Sequence, residues 1–524
     1  MMGKWNIVES WKNGIMAGSR ITRMKANYFI FLCFFCVFVV IFSMGSPFMW
    51  GEVSDINVDR LYLDAGFPRI VEHFEKKDYQ KLSLKEKLFF IESLARTSGG
   101  FQAKEKLEPL LSVHSSDPGV LATGGAVYLS LGELERARTY IDRALTLRPG
   151  FNRAIISRSL LLLYYREFNE ARKWYEKLLS LDKEWSGSEF VFLVGIDVYR
   201  ACADPKKLSE LYKTHAQKVK KTNKRYYESL KANSRMHKRA GGNRFFQVET
   251  GSDRIAVPFV LGKKTLRLNT IPLTVKGKIF KVLLDTGNAT GWLVHSRELN
   301  ELLKPKTGGR TKARIGTESG MLDGYRQYYR TIDFNFFKLH HVNGIYVPKP
   351  HPDFPDANLN PSCITDRVVT IDFVKRELVL QTKEKFESCL SAQPRESISR
   401  FVWYGYKFPS ILVKVRGKQG LAMVETGAED IALKLDFLQG LQLQLVPRTK
   451  YLANGQVFKY HHAAVVLSIG NFLFKRKAAE VWPLNRFYNR ITGVSPDVVI
   501  GPKAFEGEFT VSFDSFDKQI ILSK

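Results

Sequence analysis

The chain is 524 residues long, enough for roughly three or four domains at ~150 residues each, and its 44% hydrophobic and 13% aromatic content is ordinary for domains with real cores. Its 80 Lys and Arg against 52 Asp and Glu give a net charge of +28, which favours anionic partners such as nucleic acid, acidic lipid headgroups or acidic polymers. Five cysteines argue against a disulfide framework; Cys202, Cys363 and Cys389 have no metal-ligand spacing among them and read as structurally inert.

Residues 1–50 read as a cytoplasmic stub followed by a transmembrane anchor or signal segment. Tyr28 to Phe42 is an unbroken apolar run preceded by Lys4, Lys12, Arg20, Arg23 and Lys25, and the next basic residue downstream is Arg60. That asymmetry puts the body outside the cytoplasm, periplasmic or at the cell surface. The run is short for a span of ~20 residues, although Ser43 to Trp50 extends it. A cleaved signal peptide competes, with Ser43-Met44-Gly45 as its small-residue site, and would leave a secreted body. The expectation is an uncleaved anchor.

Residues 60–216 carry a helical pattern with a 34-residue period. One unit reads Leu121, Gly125, Tyr128, Gly132, Ala137, Ile141, Ala144, Pro149; the same spacing recurs at Ala171, Tyr175 and Leu178, and at Ala103. Small residues where two antiparallel helices touch, an aromatic on the next pair and proline at the exit resemble the tetratricopeptide repeat. The resemblance implies a concave surface that binds a peptide or partner protein. Residues 217–245 then form a basic linker, with Lys218, Lys220, Lys221, Lys224, Arg225, Lys231, Arg235, Lys238 and Arg239 against the single acid Glu228. A solvated helix near an anionic membrane surface is favoured there over nucleic-acid binding.

After Phe245 the period becomes alternating. Strands are expected at Ile271–Val275, Phe280–Leu284, Tyr328–Phe334 and Val368–Phe373, and again at Ile411–Val415, Leu421–Val424, Ala463–Ile469 and Phe509–Phe513. Glu387 to Ser397 reads as a linker between lobes at 246–385 and 398–524. The halves share a motif. Asp285-Thr286-Gly287 follows Val282-Leu283-Leu284, and Glu425-Thr426-Gly427, 140 residues later, follows Ala422-Met423-Val424. Each lies eight residues beyond the glycine of a short turn, Gly277 or Gly417. Pro355-Asp356-Ala357-Asn358-Leu359-Asn360-Pro361 aligns with Pro496-Asp497-Val498-Val499-Ile500-Gly501-Pro502; Asp285 to Asn360 is 75 residues, Glu425 to Gly501 is 76.

From about Val248 to Lys524 this pattern resembles the retropepsin-like aspartic peptidases: an apolar strand into Asp-Thr-Gly, a mobile flap, then an apolar segment that cradles the catalytic loop. The fold class expected is therefore multidomain α plus β, a helical repeat array followed by two all-β acid-protease barrels. The resemblance implies a dyad of Asp285 and Glu425 sharing one proton, since like charges that close cannot both ionise. Thr286 and Thr426 would bond across the pair, and Gly287 and Gly427 would let the two loops approach. Asn360 and Gly501 would cradle the loops, with Asn360 tolerating a left-handed backbone in place of glycine. Gly320, Gly324 and Gly455 are candidate flap-tip residues within Gly316–Gly324 and Leu452–Gln456. The reaction implied is hydrolysis of an extended polypeptide by carboxylate-activated water, with no metal or cofactor. Three features depart from the pattern: Glu at 425 in place of Asp, polar Asn358 and Asn360 in the first cradle, and Asn288 after the first tripeptide, where it opens an Asn-Ala-Thr sequon read as coincidence. The alternatives are a non-cleaving scaffold that binds peptides, and a homodimer that pairs Asp285 with its copy in a second chain.

Overall fold

The computed structural model describes residues 57–97, 99–239, 246–261, 269–305, 312–317, 320–348, 354–451, 457–484 and 491–524. The apolar run Tyr28–Phe42 lies outside them; among the described residues no helix is long and apolar enough to cross a membrane.

The N-terminal half is an array of helical hairpins. The first helices, Leu84–Arg96, Pro118–Ser130 and Asn152–Tyr164, begin 34 residues apart, and so do the second helices, Gly100–Val113, Leu134–Leu147 and Phe168–Leu181. This fits the expected period. Ala103, Ala137 and Ala171 are fully buried at equivalent positions, and a Cβ at Gly125 would overlap Ile141, so the small residues set how closely paired helices approach. Asp117 caps Pro118–Ser130 through Val120 N–H, and Ser83 and Glu86 form a complete capping box on Leu84–Arg96. A fourth hairpin, Glu189–Ala201 with Pro205–Val219, follows the short insert Lys183–Ser186.

The segment expected as a basic linker with a solvated helix is helical, but packed. Lys224–Arg239 is a helix packed on Pro205–Val219: Leu230, Ala232 and Met236 are buried, and Ser209 Oγ donates to Ser234 O at 2.9 Å. Its cations line one face while a sparse apolar stripe seats the other.

Inside the array, Glu92 is 1% exposed and receives Tyr62 OH at 2.5 Å, Arg96 Nε at 3.0 Å and Arg153 Nε at 2.9 Å. Arg96 Nη1 also donates to the carbonyl of Ile491, which belongs to the C-terminal half. Gly405 N–H donates to Tyr164 O at 2.9 Å, and Asp197 takes Tyr406 OH and Lys407 Nζ at 2.5 and 2.9 Å. Polar bonds thus tie the array to Tyr404–Ser410 and Ile491–Val494, where Leu421, Ile491 and Val494 complete its apolar core.

Among the described residues the C-terminal half forms three sheets. One runs, in spatial order, Asn269–Val275, Lys278–Leu284, Ala357–Leu359, Trp292–Val294, Lys338–Tyr346, Gly320–Asp333, Lys312–Thr317. Another repeats that order with Ser410–Val415, Lys418–Val424, Val498–Ile500, Ile431–Lys434, Phe472–Trp482, Val457–Ile469, Val446–Tyr451. In each, the turn between the first two strands places a Lys or Arg and then a Gly at positive φ (Lys276 and Gly277, Arg416 and Gly417), the two-residue hairpin whose twist matches the strands. The third sheet draws on both halves: Ile398–Val402, Gln519–Ser523, Thr510–Asp514, then Val368–Asp372, Glu377–Gln381, Arg254–Pro258. Its centre pairs Thr370 with Ser512, their hydroxyls 2.7 Å apart. The expected inter-lobe linker begins inside a helix, Lys383–Ser391, that buries Phe386 and Leu390 against Val368 and Ile521 under this sheet.

Candidate functional site

Each tripeptide leaves a buried strand beside a three-residue parallel partner. Leu284 pairs with Leu359 and Val424 with Ile500, so Asp285 N–H donates to Leu359 O at 2.8 Å and Glu425 N–H to Ile500 O at 3.0 Å. The aligned Pro-Asp pairs tether these strands. Asp356 Oδ2 accepts Lys281 N–H at 2.8 Å and Asp497 Oδ2 accepts Leu421 N–H at 3.0 Å, each four residues before the tripeptide carboxylate.

The two loops then meet through their threonines. Thr286 N–H donates to Thr426 Oγ1 at 3.0 Å and Thr426 N–H to Thr286 Oγ1 at 2.9 Å; the hydroxyls continue to Val424 O and Leu284 O at 2.6 and 2.8 Å. Both threonines are fully buried, so this reciprocal lattice is shielded from competing water. It places the carboxyl of Asp285 in hydrogen-bonding reach of Glu425. Asp285 stays partly open to solvent, whereas Glu425 is 5% exposed. The glycines are crossed beneath them: a Cβ at Gly287 would overlap the Glu425 carboxylate, and one at Gly427 would lie 2.7 Å from Asp285 Oδ1.

The cradles differ from each other. Gly501 has no room for a side chain, since a Cβ there would lie 2.7 Å from the Glu429 carbonyl carbon. Asn360 instead uses its amide, Nδ2 donating to Thr286 O and Asn288 O at 3.1 Å each while Oδ1 accepts Ser362 N–H. The left-handed backbone expected at Asn360 is absent: its φ is −85°, extended, so the side chain rather than the backbone explains the residue. Asn288 is buried, with Oδ1 accepting Thr290 N–H and hydroxyl, so its amide is engaged inside the loop rather than offered for glycosylation. Asn358, which the sequence marks only as a polar departure in the cradle, contacts the dyad position directly. It is 5% exposed and donates Nδ2 to Asp285 Oδ2 at 2.8 Å.

Burial raises the Asp285 carboxyl above its ordinary value, against hydrogen bonds from Glu425, Asn358 and the backbone of Gly287 and Asn288. Burial also pushes Asp497 up to about 7, opposed by Leu421 N–H and by Lys434 and Lys418. A carboxyl raised on folding costs nothing below its unfolded value of ~3.9 and its full penalty above its folded value. Asp497→Asn, which keeps an oxygen for Leu421, should therefore gain stability on wild type between pH 5 and pH 8 by about 2 kcal/mol. Parallel denaturant melts at the two pH values check this; a difference that does not change with pH would refute it.

The expected flap glycines are placed less simply. Gly320 opens the strand Gly320–Asp333 and pairs with Thr317, the last residue of Lys312–Thr317. Gly324 is not at a tip: it pairs with Ala313 inside the ladder, where a Cβ would lie 2.7 Å from Tyr346 O. Gly455 lies outside the described residues, between the paired strands Val446–Tyr451 and Val457–Ile469. Elsewhere, Glu387, Asp514 and Asp517 converge, but Lys383 Nζ fills their centre at 2.5–2.8 Å and makes the cluster an ion-pair knot.

No family model matches the sequence, and no curated protein matches it. Among solved structures, a tetratricopeptide repeat protein from Parabacteroides merdae ATCC 43184 is similar over 34% of this chain and 69% of its own. Identity is 16% and the TM-score 0.24.

Proposed function

We propose that the chain is an aspartic-type endopeptidase of retropepsin-like build, with Asp285 and Glu425 as its dyad and the helical array as the module that recruits the substrate or a partner protein. One observation carries this reading: two carboxyls from repeated loops lie within hydrogen-bonding reach of each other above a reciprocal threonine lattice. Such a pair holds one proton and one charge, so a water between them meets a base and an acid at once. The two lobes enclose the cleft, and the paired strands ending near Gly320 and near 452–456 serve as flaps. The apolar run before residue 50 anchors the body on the extracytoplasmic side of a membrane. Because Asp285 meets Glu425 of its own chain, a monomer is the active species.

A second reading, a non-cleaving peptide binder, draws on the extra methylene of Glu425, which shifts one carboxyl from where an aspartate would hold it. Cleavage of a peptide library by residues 53–524, from acid to neutral pH, beside Asp285→Asn and Glu425→Gln, separates the two. Cleavage abolished by either substitution, at a rate per molecule independent of protein concentration, is expected. Peptide binding without cleavage at any pH would establish the binder. Activity that rises with concentration and depends on Asp285 alone would point to pairing between chains.

A further inference from the structure

The two halves of the site follow one plan, and in the cradle strand they part in polarity at its middle residue. Ala357–Leu359 and Val498–Ile500 pair in the same way with their neighbours, and Asn358 stands where the second lobe has Val499. An amide on such a strand is costly: Asn358 is 5% exposed and its Oδ1 is buried with no hydrogen-bond partner among the described residues. What the amide gains is one bond, Nδ2 to Asp285 Oδ2 at 2.8 Å. The other oxygen of Asp285, Oδ1, accepts Gly287 N–H at 3.1 Å. In the second lobe Gly427 N–H reaches Glu425 Oε1 only at 3.3 Å, and Val499 has nothing to donate.

Donors stabilise the charged form of a carboxyl, and Asp285 has one on each oxygen. We infer that Asn358 is a positioning residue that breaks the symmetry of the dyad, holding the charge on Asp285 and the shared proton on Glu425. The roles follow, and they rest on the peptidase reading above. Water adds to the scissile carbonyl carbon, its proton passing to Asp285, while the proton of Glu425 passes to the carbonyl oxygen to give a neutral gem-diol. Asp285 then returns its proton to the amine nitrogen as the C–N bond breaks, and a gem-diol hydroxyl returns one to Glu425. Free acid and amine leave, and the dyad is back in its starting state.

The test is the pH profile of kcat/KM for the full-length chain and for Asn358→Val, which copies the second lobe. Loss of the donor should move the acid limb, where Asp285 ionises, upward by about one pH unit, with the rate recovering at higher pH. Asn358→Leu, close to asparagine in shape but without the donor, should move the limb in the same way, and covers the case in which the valine variant folds poorly. Overlaid profiles that differ only in height would overturn the assignment and leave Asn358 a structural residue. A wild-type chain that cuts nothing would instead remove the peptidase reading itself, and the assignment with it.

Discussion

Gly287→Ala should lower kcat/KM for peptide cleavage by about 100-fold or more while leaving the melting temperature close to that of the wild type. The added methyl would overlap the Glu425 carboxylate, the far end of a side chain that can swing away without disturbing the backbone. The threonine lattice lies deeper and keeps its four bonds. What is lost is the placement of one carboxyl against the other, and a displacement of ~1 Å in a reacting group is worth ~100-fold in rate. Gly427→Ala should act in the same direction through Asp285, whose Oδ1 lies 2.7 Å from the new methyl. Steady-state cleavage together with a thermal melt decides the matter. Wild-type turnover in the alanine variants would mean that the carboxyls do not need this geometry, and the dyad would lose its main support.

The largest loss of stability is expected far from the dyad. Glu92 is held between Arg96, Arg153 and Tyr62; burial favours its neutral form, but the two guanidiniums prevail and bring it to about 2. Its folded value lies below the unfolded carboxyl value of ~4.3, so the stabilisation is complete above that pH and is lost as pH falls through about 2. The array therefore keeps the whole of this stabilisation at mildly acid pH and gives it up only in strong acid. Glu92→Ala leaves two arginines, 2% and 8% exposed, without their counter-ion and should cost about 3–5 kcal/mol. Glu301→Ala, which removes an exposed partner of Arg297, should stay within about 1 kcal/mol. Denaturant midpoints for the two variants check the contrast, and equal shifts would show that the buried network does not hold the array.

What the sequence disclosed and what it hid follow from chain separation and from residue type. The tripeptides, the Lys-Gly and Arg-Gly turns and the Pro-Asp tethers were legible because each needs particular residues at short fixed spacing. The hairpin period was legible because Ala103, Ala137 and Ala171 must be small wherever paired helices touch. Asn358 was legible only as a departure from an apolar pattern; its bond to Asp285 spans 73 residues, and nothing local announces it. Glu92 and Arg153 are 61 residues apart, so their pairing exists only in the packed array. The packing of the helix Lys224–Arg239, rather than its existence, was masked by its own cations, which outnumber the three buried apolar residues Leu230, Ala232 and Met236. Gly324 was misread because close packing against Tyr346 asks for glycine as surely as a mobile tip does.

The sheet shared by both halves, with Thr370 against Ser512 at its centre, is the arrangement that two identical subunits would form about a two-fold axis. In such an assembly every substitution appears twice, so an aspartate on one side forces an aspartate on the other. Joining the halves through the helix Lys383–Ser391 removes that constraint. Each position then varies on one side only, which is what permits Asp285 opposite Glu425, Asn358 opposite Val499 and Asn360 opposite Gly501. Covalent linkage thus does more than raise the local concentration of two lobes: it allows the two facing carboxyls to belong to different residues.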